Sequence, residues 1–221
     1  MTDLAIYDMD RTLTRHATYT PFLLHCALRQ APWRLLLLPL VMASMLAYAG
    51  RLIDRARLKE INHRLLLGYR RHPSELKPLV DSFAEKTIAA NVRPGARRAI
   101  ARDKAEGRRI VMATASYRLY ADAIGDLLGF DDVIGTGSII GLDERVHAKI
   151  LGENCYGPAK LRMVEDWLDK SGLKRGHVRF YSDHASDAPA FEWADEAVAV
   201  NPHARLRKLA GERGWAIEDW S

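Results

Sequence analysis

Leu4-Ala5-Ile6-Tyr7-Asp8-Met9-Asp10-Arg11-Thr12-Leu13-Thr14 sets an apolar run directly against two carboxylates, the pattern of a buried strand that delivers acid to a surface. Side chains two apart on a strand share a face, so if the extended chain continues past Tyr7, Asp8 and Asp10 converge. Two carboxylates that close repel unless a cation separates them or one keeps its proton. Both arrangements suit phosphoryl transfer, with one carboxylate as nucleophile and a neutral neighbour as acid. Taken alone, Asp-x-Asp equally describes a strand followed by an Asp-rich turn.

Working outward, residues 16–92 read as almost wholly helical. Pro21–Leu28 forms one apolar helix start, Leu35–Ala49 a long apolar stretch interrupted by Pro39, and Asp54 caps a segment with Leu58, Ile61 and Leu65 at helical spacing. Ser74 is a candidate cap for a last helix ending at Ala90. Leu35–Ala49 falls short of the roughly twenty residues of a membrane span and reads as a buried or interfacial helix. After Arg93-Pro94-Gly95 the texture changes to alternating elements: helix 96–106, strand 110–114, helix 117–128, a hairpin within 132–152, helix 158–170, strand 177–181, helix 189–193, strand 197–200 and helix 203–213. This alternation predicts an α/β fold, a parallel sheet with helices on both faces, into which a helical block is inserted after the first strand. The expected division is a core of 1–15 and 93–221 with a cap of 16–92.

The net charge of +5 is local. Residues 16–90 hold eleven Lys and Arg against five Asp and Glu, and the remainder of the chain is slightly acidic. A basic region of this kind meets nucleic acid, an anionic membrane or a phosphorylated ligand. Zinc-finger spacing, a helix-turn-helix signature and aromatic-basic interleaving are all lacking, which argues against nucleic acid. Cys26 and Cys155 form no Cys-x-x-Cys pair, and no basic-then-apolar leader opens the chain. Both features lead to the expectation of a reducing, cytoplasmic setting.

In a parallel sheet ligands bind beyond the strand C-termini, and further candidates stand there. Thr114-Ala115-Ser116 ends a strand and offers hydroxyls and N–H groups to a phosphate, or Ser116 simply caps the helix. Lys160 follows Gly157-Pro158 in the first turn of a helix, where a cation opposes the macrodipole; it is either a solvated lysine or part of an anion site. Ser182-Asp183 repeats the strand-then-Asp logic of Asp8, and a second carboxylate there can complete an oxygen-rich magnesium site. Asp187 caps the next helix or supports the site, and His184 is an acid/base candidate or a polar turn residue.

In this order these motifs resemble the haloacid dehalogenase superfamily, specifically its phosphoserine phosphatase-like subclass IB. The resemblance covers nearly the whole chain and implies a Rossmann-like core with a helical cap. It implies that Asp8 is a nucleophile forming an aspartyl-phosphate and that Asp10 is the general acid and base. Thr114 and Lys160 would hold the phosphoryl group with the backbone at Ala115 and Ser116. Mg2+ would sit on Asp8, the main-chain carbonyl of Asp10 and Asp183, with Asp187 behind. Phosphoserine phosphatases resemble one another in a Glu nine residues after the nucleophile; here Ala17 stands there, which disfavours phosphoserine. The expected substrate is a small phosphorylated metabolite. The long apolar cap element flanked by arginines is similar to bacterial phosphatases of phosphatidylglycerophosphate, so the alternative is a lipid phosphate met by peripheral contact with the inner face of the membrane. A silent binding protein with a basic cap is the reading from another class, disfavoured by the presence of every motif residue.

Overall fold

The computed structural model describes all of residues 1–221. Its first strand, β1 (Thr2–Tyr7), stops where the apolar run stops, and the chain then makes a wide turn over Met9–Leu13 that the Thr14 N–H closes on the Met9 carbonyl at 3.0 Å. The cap follows as α1 (Tyr19–Gln30), a 3-10 segment Pro32–Leu37, α2 (Leu38–Ala49), α3 (Arg55–Leu66), a two-residue strand β2 (Arg70–Arg71) and α4 (Pro73–Ala90). The core resumes with α5 (Pro94–Ala105), β3 (Arg109–Tyr117), α6 (Arg118–Leu128), β4 (Asp132–Ile140) and β5 (Val146–Leu151). It closes with α7 (Pro158–Ser171), β6 (Arg175–Ser182), α8 (Ala188–Trp193), β7 (Glu196–Val200), α9 (Ala204–Arg213) and β8 (Ala216–Glu218).

The eight strands form one sheet in the order β2-β5-β4-β3-β1-β6-β7-β8. The six strands from β4 to β8 are parallel, and β5 and β2 add an antiparallel edge. Side-chain alternation along the buried strands sorts them onto two faces. Ala5 and Tyr7 of β1, with Ile110 and Met112 of β3, join a 32-residue cluster that also takes in α5, α6 and the cap's Phe22, Leu76 and Phe83. Leu4 and Ile6, with Val111 and Ala113, join a second cluster with Val164 of α7, Phe191 of α8 and Leu206 of α9. A one-residue slip of β1 would exchange the two sets, so the register is strongly specified.

That register positions the site. Tyr7 lies opposite Met112 on one side and Tyr181 on the other, so the residues that follow leave the sheet together. Asp8 is held level by its N–H, which donates to the Tyr181 carbonyl at 2.9 Å. Beneath it Tyr7 stacks on Tyr181 at 4.4 Å, and both phenols donate to the buried Asp103, which Arg179 also meets. Buried polar networks of this kind are costly unless every member is paired.

The cap departs and returns through one narrow crossing. Thr14 bridges Val92 antiparallel, Arg15 N–H donates to the Asn91 carbonyl and Arg93 N–H to the Leu13 carbonyl. The expected helical block is therefore present, with a difference. Arg70 and Arg71 pair with His147 and Val146 of β5, so the cap contributes a strand to the core's sheet. Asp54 caps α3 as expected, accepting from Arg57 N–H at 2.7 Å. Ser74 does not cap α4: Pro73 already occupies the first helical turn, and the His72 side chain accepts from Ser74 N–H instead.

Candidate active site

Asp8, at φ −69° and ψ 150°, keeps an extended backbone at the end of β1. Asp10 retains φ −71° and ψ 118°, but Arg11 turns to φ 69°, a left-handed value uncommon outside glycine. The two carboxylates have different partners and both face one cavity of about 380 Å³. The Asp8 carboxylate accepts from Lys160 Nζ at 2.7 Å and from the Thr12 hydroxyl at 3.0 Å. The Asp10 carboxylate accepts the Thr18 N–H and hydroxyl, each at 2.7 Å, and the Ser116 hydroxyl at 2.6 Å.

Lys160 is no solvated lysine; it is 2% exposed. Gly157, at φ 58°, turns the chain into α7 so that Lys160 sits in the first helical turn, pointing under the strand ends. Its ammonium bridges Asp8 and Asp187, the latter at 2.6 Å. Burial alone would lower the lysine's pKa, and the two carboxylates more than reverse this, raising it. The helix-dipole penalty of a cation there is thus offset by two anions.

Asp183 begins where β6 ends and is 4% exposed. Its N–H donates to the Thr12 hydroxyl at 2.9 Å, and its Oδ1 lies 3.4 Å from the same hydroxyl, so Thr12 stands between Asp8 and Asp183. Burial pushes Asp8 up to about 7, with Asp187 and Asp183 adding to it and Lys160 opposing; Asp183 is raised by burial as well. Asp187 does not cap α8. Its Oδ2 takes the Lys160 ammonium and the Ser182 hydroxyl, which leaves it behind Asp8 in a supporting position. His184 is committed to the turn between: its Nδ1 accepts from Ser186 N–H at 3.1 Å, and burial lowers its pKa.

The hydroxyls of Thr114 and Ser116 are both engaged within the protein. Thr114 is fully buried and its hydroxyl accepts the Ser116 N–H at 3.0 Å, shaping the turn; Ala115 and Ser116 line the cavity and Thr114 does not. Ser116 does not cap α6 through its side chain, which is spent on Asp10 and on the Tyr120 hydroxyl. Lys59 was not singled out by sequence. From α3 it reaches across to the Ala115 carbonyl and, at 2.8 Å, to Asn154 Oδ1. Burial, with Arg55 adding, lowers its pKa to about 7. Thr18, which holds Asp10, and Thr136, which holds Ala115 and Asn154, were missed as well. Single polar residues set in a helix, a strand or a cap position leave no periodic trace.

Lys160 pairs with Asp8 and Asp187, and Asp183 is a third buried carboxylate beside them, so this inner end of the pocket has more carboxylates than ammonium groups, while Arg55 and Lys59 face it from the cap. No three acidic, imidazole or thiol side chains converge as a ready-made metal cluster. A set of two carboxylates and a main-chain carbonyl needs no such cluster, and its hard oxygen donors suit magnesium. Asp187 Oδ1 is buried without a hydrogen-bond partner, a further opening for a cation or its water. The residues present fit the ion. On the cap side the cavity is lined by Ala17, Tyr19, Met45, Tyr48, Arg55 and Lys59, and every charged group the cap contributes is cationic. Arg55 lies 4.0 Å over the Tyr156 ring.

The family model for haloacid dehalogenase-like hydrolases matches residues 5–192. Among curated relatives, a phosphoserine phosphatase of Mycobacterium tuberculosis is 31% identical over 150 residues, covering 68% of this chain and 48% of that protein. A histidinol-phosphatase of Neisseria meningitidis is 27% identical over 146 residues, covering 65% and 66%. The chain spans about half the length of most of the curated relatives it matches. A crystal structure of a Bordetella pertussis protein of unknown function superposes with a TM-score of 0.89 at 24% identity over all of both chains.

Proposed function

Since the chain belongs to the haloacid dehalogenase-like hydrolases, we propose that it is a magnesium-dependent phosphomonoester hydrolase working through a phosphorylated Asp8. The observation that carries this reading is Asp8 itself: buried at the end of β1, aimed into the cavity and gripped by Lys160, with Asp10 facing the same space. Curated relatives named as phosphatases support the reaction class.

A phosphate ester enters with its phosphoryl group toward Asp8 and its organic part toward the cap. An Asp8 carboxylate oxygen attacks phosphorus while the ester P–O bond breaks, and Asp10 gives its proton to the departing oxygen. Asp10 then takes a proton from the water that attacks the Asp8-bound phosphoryl group, which releases inorganic phosphate, frees the Asp8 carboxylate and returns Asp10 to its acid form. The Ser116 hydroxyl on Asp10 can donate to the carboxylate or accept from the acid, so that contact serves both protonation states. Lys160 offsets the charge on the phosphoryl oxygens, and Ala115 and Ser116 border the same space. Asp8, the Asp10 carbonyl and Asp183 would hold magnesium, which when bound neutralises phosphate charge and orients the ester. Asp187 secures Lys160 from behind.

The substrate that fits is a small phosphate whose organic part is neutral or anionic. An ammonium-bearing substrate would meet Arg55 and Lys59 and find Ala17 where a carboxylate is needed. The test is turnover of a panel of phosphomonoesters by the purified chain with magnesium, with and without EDTA. Full activity of Asp8→Asn, or undiminished activity in EDTA, would overturn the assignment.

A further inference from the structure

Helix α2 shows its apolar side to water. Val41 and Ser44 turn inward, where Ser44 donates to Asn62 Oδ1 at 2.8 Å. Leu40, Met42 and Leu46 are exposed, as are Trp33 and Leu36 before the helix and Leu52 after it, Leu36 to 81% and Leu52 to 80%. Of the eighteen residues Pro32–Ala49 only 11% are buried. A contiguous surface of that kind marks an interaction site.

We propose that this face of the cap docks on an anionic lipid bilayer, lying in the interface. Charge identifies the partner. No acidic residue occurs from Thr12 to Gly50, and the exposed Arg29 and Arg51 flank the apolar segment in the sequence. In a two-fold contact between copies of the chain these arginines would be brought toward their own kind, whereas anionic headgroups pair them while the leucines enter the acyl boundary. Trp33, at the edge of the patch, has the amphipathic ring that settles at headgroup depth.

The segment is apolar and long enough to cross a membrane by composition, but its geometry favours lying flat. Val41 and Ser44 pack it inward on the rest of the cap, so it does not stand free of the fold. The Ser44–Asn62 bond also ties it along α3. Met45 and Tyr48 of the same helix line the cavity, so docking places the cavity mouth at the lipid surface.

Vesicle sedimentation tests this independently of turnover, so its failure would leave the phosphatase reading standing. The full chain is expected to pellet at low salt with phosphatidylcholine vesicles containing a quarter phosphatidylglycerol, and to be released by high salt. Arg29→Glu with Arg51→Glu should weaken partitioning by about fivefold or more per charge, and Leu40→Asp with Leu46→Asp by about tenfold or more. Both double variants should retain the wild-type circular dichroism and melting curve. Three results would each overturn the proposal: a protein that stays in the supernatant at low salt, equal partitioning onto pure phosphatidylcholine, or a dimer in solution that the leucine variant dissolves.

Discussion

Replacing Lys160 with Met tests the centre of the site, because the variant keeps most of the side chain's length and removes only its charge. The wild-type ammonium is buried and shared by Asp8 at 2.7 Å and Asp187 at 2.6 Å. Removing one partner of a buried pair typically costs about 3–5 kcal/mol, since the other is left charged and unpaired. With two carboxylates stranded, about 4 kcal/mol is a fair central figure; at about 3 °C per kcal/mol for a chain of this size, Tm should fall by roughly 12 °C near neutral pH in EDTA. The pH dependence has a definite sign. Asp8, pushed up to about 7 by burial, binds its proton in the folded state at a pH where the unfolded chain, with a pKa of about 3.9, does not. The penalty of its charge is therefore present above about pH 7 and eases as pH falls toward 4. Loss of Lys160 raises Asp8 further, so the gap between variant and wild type should narrow on going from about pH 7.5 to about 5.5. Thermal melts at both values decide the matter. An unchanged Tm near neutral pH, or a gap of equal size at both, would refute the argument that Lys160 neutralises a crowded buried pair.

Asp10→Asn should lower kcat by roughly two to four orders of magnitude with an unaltered melting curve, the usual worth of a general acid and base; steady-state kinetics on an aryl phosphate measure it. Lys59, lowered to about 7 by burial, keeps its proton in the unfolded chain up to about pH 10. Stability should accordingly rise with pH between those values, and Lys59→Met should flatten that rise in melts across the range. Wild type should turn over phosphoserine less efficiently than an amine-free analogue, and Ala17→Glu should shift the ratio of kcat/KM toward phosphoserine by about tenfold or more.

The core's order of elements was legible because each buried strand leaves a dense apolar run, as in Ile110–Thr114 and Val178–Tyr181. Strands too short for a pattern left none: β2 is two arginines, and β8 is three residues held by register with β7. Asp8, Asp183 and Lys160 could be placed from their positions just beyond strands and a Gly-Pro helix start. Their partnership could not, because Lys160 meets Asp8 across 152 residues of sequence. The turn at Arg11 was hidden for a different reason, since the left-handed position carries a long side chain where glycine would have announced it. The contact of Lys59 with the Ala115 carbonyl exists only once the cap has docked, so no local feature encodes it.

The cap is fastened on more than one side of the cavity: at the crossing of Thr14 and Val92, along β2 on β5, and by Lys59 on the Ala115 carbonyl. So tethered, the cap holds Met45, Tyr48 and Arg55 against the cavity. Under the proposed reaction such a chamber would sort by girth before it sorts by chemistry: a slender molecule ending in phosphate would suit it better than a phosphate on the face of a folded protein or along a nucleic-acid backbone.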